Sequence, residues 1–168
     1  MALEIRPYRE EDLAGMCKVW NEVVEAGNAF PQIMPLSIDE ARAFFAEQAL
    51  TTVAVVEGKL FGLYILHPNN VGRCAHVANA SYAVVSSARG LGLGRELVTD
   101  SLAQAAHLGF RGLQFNAVVA SNTGAVHLYE DLGFARVGTV PRGFCNNMGA
   151  YEDMHIYYKE CVDENRGC

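Results

Sequence analysis

The run Arg89-Gly90-Leu91-Gly92-Leu93-Gly94-Arg95 follows a strand-like stretch, Tyr82 to Val85, and opens a helical pattern. It constrains the fold more than any other segment. A strand that ends in a glycine turn and enters a helix leaves several backbone N–H groups unpaired and pointing outward. Those amides, with the positive end of the helix dipole, form a cradle for phosphate oxygens. Glycine lets the backbone approach a ligand closely, and Arg89 and Arg95 add charge. A bare turn also uses small residues, but alternating glycines behind an arginine ask for more than a turn.

The two commonest phosphate loops are excluded by spacing. A dinucleotide fingerprint requires glycine where Arg95 stands, and a P-loop requires Gly-Lys-Ser/Thr, whereas no lysine lies in this segment. The second informative segment lies downstream: Asn122, Ala125, Tyr129, Gly133 and Phe134 recur on what reads as one helix and its exit turn.

Length and composition bound the rest. The 168 residues suit one domain, 1–168, with a sizeable core. At 51% hydrophobic and 19% charged residues the chain reads as globular. Glu4, Arg6, Arg9, Glu10 and Glu11 interrupt any N-terminal apolar signal region, and no apolar run is long enough for a bilayer. A net charge of −6 argues against a nucleic-acid surface. The cysteines at 17, 74, 145, 161 and 168 have no metal-ligand spacing, and no metal is expected. They read as reduced thiols of a cytoplasmic protein.

Periodicity gives the element order. Leu3 to Arg9 reads as a strand, and Leu13, Met16, Cys17, Trp20, Val23 and Val24 as one face of a helix ending near Gly27. After a loop, Asn28 to Leu36, Ser37 and Glu40 have capping-box spacing and start a second helix. Thr52 to Glu57 and Leu60 to Leu66 are expected as strands joined at Gly58-Lys59. A fourth strand covers about Val77 to Val85. The helix after the glycine run is capped near Gly109, Leu113 to Val119 is a strand, and Gly133 stops the Tyr129 helix. Ala135 to Val140 and Tyr151 to Lys159 are expected to close the sheet, and Glu160 to Cys168 to fray.

Taken together, the glycine run and the Tyr129 helix resemble the GCN5-related N-acetyltransferase (GNAT) superfamily over nearly the whole chain. Its acetyl-CoA loop, Arg/Gln-x-x-Gly-x-Gly/Ala, is met at Arg89, Gly92 and Gly94. Its later pattern, Asn-x-x-Ala-x-x-x-Tyr-x-x-x-Gly-Phe, is met at Asn122, Ala125, Tyr129, Gly133 and Phe134. The resemblance implies an α/β fold, a mixed twisted sheet of about seven strands with helices on both faces. It also implies acetyl-CoA as cosubstrate and a homodimer. Residues implied at the cofactor are Val84, Val85, Arg89, Gly90, Leu91, Gly92, Leu93, Gly94, Arg95, Asn122, Ala125 and Tyr129.

In relatives the pantetheine arm pairs with the fourth strand, and a backbone N–H at Val84 or Val85 would polarise the thioester carbonyl. One such donor is worth about 3–4 kcal/mol. Tyr129 corresponds to the acid that protonates the departing thiolate. A phenol of pKa ~10 is protonated at neutral pH and can donate to a thiolate of conjugate pKa ~8.5. Without the pattern, Tyr129 would read as a packed aromatic beside Leu128 and Leu132. Many relatives carry a glutamate base ten residues before the loop arginine. Here that position is Asn79, which accepts no proton. An amine of pKa ~10.4 is only about 0.04% neutral at pH 7, a penalty of roughly 4.6 kcal/mol. Deprotonation through water is expected, with His76 close by in sequence.

Asn79 and Asn116 lie on the two strands that the superfamily splays apart. They either serve loop backbone or grip a substrate carboxylate. The segments His67-Pro68-Asn69, Gly72 to Ala80 and Gln114 to Val118 resemble fungal N-acetyltransferases that act on azetidine-2-carboxylate. This implies a small amino or cyclic imino acid acceptor held by Asn79 and Asn116. Two other readings stay open: a peptide, lysine or polyamine acceptor, and a non-catalytic acyl-CoA sensor.

Overall fold

A computed structural model describes residues 2–161. Seven strands form one sheet: β1 (Leu3–Pro7), β2 (Leu50–Val56), β3 (Lys59–Pro68), β4 (Val77–Val84), β5 (Gly112–Val119), β6 (Ala135–Cys145) and β7 (Tyr151–Glu160). Four helices accompany it: α1 (Leu13–Ala26), α2 (Ile38–Ala46), α3 (Leu93–His107) and α4 (Thr123–Asp131). The strand order is β1-β2-β3-β4-β5-β7-β6, with β4 and β5 parallel and every other neighbouring pair antiparallel. This is the expected α/β mixed sheet. No described helix is long and apolar enough to cross a membrane.

Alternation along the central strands divides the core in two. Val53, Leu63, Ile65 and Ala83 pack against Met16, Trp20, Val23 and Phe45 of α1 and α2. Their strand neighbours Ala54, Tyr64, Leu66 and Ala80 pack with Leu97 and Val98 of α3. Trp20 is 1% exposed and lies 4.5 Å from the Phe30 ring. Truncating such a side chain to Ala costs about 3–5 kcal/mol.

Local signals fix most element ends. Gly27 adopts φ 63 and caps α1, as its position promised. Ser37 Oγ accepts from Glu40 N (3.3 Å) and Glu40 Oε2 from Ser37 N (2.8 Å), so the capping box forms. The β2–β3 turn is centred on Glu57-Gly58, φ 50 and 76, rather than Gly58-Lys59. Two left-handed residues make the primed turn that matches strand twist. β6 runs past Val140 to Cys145, because its register against β7 shifts between Val140 and Phe144, with Arg142 at φ 51. Glu160 belongs to β7, and Cys161 N donates to Arg111 O (3.0 Å). The remainder of the expected frayed tail lies outside the described residues.

The feature that creates a site is the short parallel pairing of β4 with β5. It covers Val77↔Gly112, Ala78↔Leu113 and Asn79↔Gln114 and then stops. On its other edge β5 bulges away from β7 between Phe115 and Val118, which leaves Asn116 and Ala117 unpaired there. The sheet is therefore open at its middle.

Candidate active site

Two cavities meet at that opening. One, of about 700 Å³, runs along the glycine turn and the start of α4. The other, of about 290 Å³, lies between β4, β5 and the loop after α1. Ala29, Tyr82, Asn122, Ala125 and Tyr129 line both, so a group held in one is within reach of the other.

The glycine turn gives the larger cavity a run of backbone amides. Gly90 and Gly92 sit at φ 78 and 80, where an added Cβ would meet nothing within 4 Å. Backbone conformation, not space, requires glycine there. Among the described residues the N–H groups of Gly90 and Gly92 make no backbone hydrogen bond. Leu93 and Gly94 open α3, where the first amides have no helical acceptor. At Gly94 a Cβ would stand 3.4 Å from Leu128 Cδ2, so this glycine lets α4 approach α3 closely. Arg95 is ion-paired to Asp131 across the two helices. Arg89 is exposed and makes no ion pair among the described residues. Glu22 of α1 steadies the entry to the turn, its Oε1 accepting from Ser86 N (2.7 Å). Hydrogen bonding to Ser86, with Arg89 contributing, holds this carboxyl below the usual range.

Sheet register separates Val84 from Val85. Val85 donates its N–H to Phe61 O (2.9 Å), so it has none to offer a ligand, and it does not line the cavity. The adjoining Gly62↔Val84 pair is then of the non-hydrogen-bonded kind. The N–H and C=O of Val84 point away from β3, into the opening. Leu91 is 72% exposed and also stands outside the lining. The other expected residues, Val84, Arg89, Gly90, Gly92, Leu93, Gly94, Arg95, Asn122, Ala125 and Tyr129, all line this cavity.

Tyr129 sits in an aromatic cluster, with ring centroids 4.4 Å from Phe115, 5.7 Å from Phe134 and 5.8 Å from Tyr157. The rings hold it in place, its hydroxyl has no hydrogen-bond partner among the described residues, and the residue lines both cavities. Burial pushes the phenol up, so it is protonated at neutral pH. Behind it, Tyr157 Oη donates to Glu130 Oε1 (2.8 Å), and Arg136 donates to both, which ties α4 to the sheet. Asn122 caps α4, its Oδ1 accepting from Ala125 N (3.4 Å).

The smaller cavity is lined by side chains. Asn79 Nδ2 and Asn116 Nδ2 both donate to Asn69 Oδ1, at 3.3 and 2.6 Å, and Gln114 Nε2 donates to Asn116 Oδ1 (2.9 Å). Each NH2 spends one hydrogen on Asn69 and keeps another. Ala29, Phe30, Pro31 and Gln32 close the far side. Asn21 fixes this loop, its side chain exchanging two hydrogen bonds of 2.8 Å with the backbone of Leu36. His67 also lines this cavity, whereas the exposed His76 does not. Asn69 and His67 are residues of this region that sequence reasoning did not single out. Their signal was the segment His67-Pro68-Asn69, but only the β3–β4 register brings it opposite Asn79. No cluster of three or more His, Cys, Asp or Glu residues able to hold a metal occurs among the described residues.

Comparison with known proteins agrees with the fold. The acetyltransferase (GNAT) family model matches residues 10–134. The chain belongs to that family and is an N-acetyltransferase. It is 29% identical to N-acetyltransferase aca1 of Schizosaccharomyces pombe, over 89% of this chain and 80% of that one. A GCN5-related N-acetyltransferase from Kribbella flavida superposes with a TM-score of 0.88 at 37% identity, covering 95% of this chain and 98% of the other. The fold also matches a Sinorhizobium meliloti phosphinothricin acetyltransferase in complex with acetyl-CoA (TM-score 0.91, 20% identity, 100% and 93% covered).

Proposed function

We propose that the chain transfers the acetyl group of acetyl-CoA to the amine of a small amino or cyclic imino acid. Acetyl-CoA would lie in the larger cavity, its pyrophosphate on the free amides of Gly90, Gly92, Leu93 and Gly94 with Arg89 beside them. Its pantetheine arm would pair with the unbonded edge of β4, and the Val84 N–H would polarise the thioester carbonyl. The amine attacks that carbon from the smaller cavity, the C–S bond breaks, and Tyr129 gives its proton to the leaving sulfur. Asn122, lining both cavities, has an amide N–H to offer the acceptor.

The observation that carries the acceptor class is the convergence of Asn79 and Asn116 on one oxygen, Asn69 Oδ1. Each of these amides keeps a second N–H beside the cavity that both line, and a substrate carboxylate bound there would accept from them. The fixed loop Asn28 to Leu36 leaves a cavity of amino-acid size, which favours a small molecule over a peptide. The test follows CoA release from acetyl-CoA with azetidine-2-carboxylate, proline, hydroxyprolines, linear amino acids, polyamines and peptides. Turnover is expected with the amino and imino acids and lost with their amides. Turnover confined to polyamines or peptides would overturn the substrate class. CoA binding without turnover on any amine would favour a sensor instead.

A further inference from the structure

The acceptor amine must lose a proton before it attacks, and His67 is positioned to take it. Across both cavities the titratable lining residues are His67, Tyr82, Arg89, Arg95 and Tyr129. Arginine has no lone pair to offer. Burial raises both phenols, so neither is a tyrosinate near neutral pH, and Tyr82 Oη is in addition 2.7 Å from Ser101 Oγ. No carboxylate lines either cavity. His67 alone among these lining residues pairs a place at the acceptor cavity with an imidazole, the side chain most often used to take a proton in catalysis.

Its orientation suits a base. Nδ1 lies 2.9 Å from Pro68 O. A carbonyl only accepts, so Nδ1 carries the hydrogen and the neutral ring has its lone pair on Nε2. His67 is the register partner of Asn79 on the neighbouring strand. Such pairs share one face of the sheet, with Cβ atoms about 4.5–5.5 Å apart. In an α-amino or imino acid the nitrogen is two bonds from the carboxyl carbon. An acceptor whose carboxylate meets Asn79 is therefore held in the cavity that His67 also lines, with its nitrogen a short reach from that carboxylate.

The geometry points to His67 as the general base of acetyl transfer, removing the ammonium proton of the acceptor through Nε2, directly or through one water. The inference rests on the acceptor cavity assigned above. The first proton passes from nitrogen to Nε2, and the freed lone pair forms the C–N bond while the carbonyl π electrons move to oxygen. Collapse of that oxyanion expels the thiolate, which takes the Tyr129 proton. The acylated nitrogen loses its second proton, so one proton ends on sulfur and one in solvent, with both side chains restored.

The test uses whichever amine of the panel the wild type acetylates fastest, so a wrong acceptor class shows as the wild type's preference and not as a property of His67. Initial rates are measured from pH 6 to 10 for wild type, His67→Ala and His67→Asn. Asparagine can keep an N–H donor toward Pro68 O but supplies no base, so it separates chemistry from strand-end structure. Both variants are expected to lose about 100-fold or more in kcat at pH 7. The deficit should shrink as pH approaches the pKa of the free amine, and added imidazole should restore part of the His67→Ala rate. Acetyl-CoA affinity should stay within about twofold, since the lost contact lies outside the cofactor cavity. A His67→Asn rate within about threefold of wild type at pH 7 overturns the assignment. A deficit that is the same at every pH and unmoved by imidazole overturns it too.

Discussion

The two cavities are made of different material. The larger one presents amides of a turn and a helix start, set by φ at Gly90 and Gly92, and the unbonded edge of one strand. The smaller one presents side chains from β3, β4, β5 and the loop after α1, which converge only when the sheet is assembled. The backbone site tolerates change in side chains but not in φ. The side-chain site tolerates neither loss of an amide nor a slip of register. The proposed transfer needs both, and they share α4 and Tyr129.

The shared element should give the largest effect. Tyr129→Phe keeps the ring packed against Phe115 and removes only the hydroxyl. We expect kcat to fall about 10²–10³-fold, with acetyl-CoA affinity within a few-fold. Stopped-flow acylation with binding by calorimetry checks this; unchanged kcat would remove Tyr129 from the chemistry.

The next effects separate the halves. Asn79→Ala and Asn116→Ala should each raise acceptor KM about 10- to 100-fold, as expected for one hydrogen bond to a charged group worth about 1.5–3 kcal/mol. Acetyl-CoA affinity should not move. Gly92→Ala should do the reverse. Holding an L-residue left-handed costs roughly 1–2 kcal/mol, which we expect to appear as an approximately 10-fold weaker acetyl-CoA Kd with acceptor KM unchanged. A variant of either kind that moves both constants equally would mean the cavities are one coupled site.

The same contrast explains what the sequence reveals. The glycine turn and the Tyr129 helix are local, so Arg89, Gly92, Gly94, Asn122 and Tyr129 are legible through the family resemblance that their short motifs carry. Val85 was not separable from Val84, because which N–H faces β3 depends on the phase of the Phe61–Val85 pairing. His76 drew attention by proximity along the chain, while His67 lines the cavity through a strand pairing that no short motif encodes. The length of β6 was missed for a related reason. Pro141-Arg142-Gly143 reads as a break, yet a register shift lets pairing with β7 resume at Phe144.

The smallest effect tests whether the shared helix is held independently of both halves. Glu130 follows Tyr129 and receives hydrogen bonds from Tyr157 and Arg136. The Tyr157 bond, then the Arg136 bond, lower its carboxyl below the usual range. A group whose pKa falls on folding contributes stability above its unfolded pKa, near ~4.3 for glutamate, and loses it as pH drops through the folded value. Glu130→Gln should therefore lower Tm slightly at pH 7, with the gap to wild type closing as pH falls below about 4. Because the group is exposed, kcat should drop no more than about threefold, and neither KM should respond. A gap that persists in acid would mean packing, not charge, holds α4. A change in one KM alone would mean the clamp belongs to that cavity and not to the helix both cavities share.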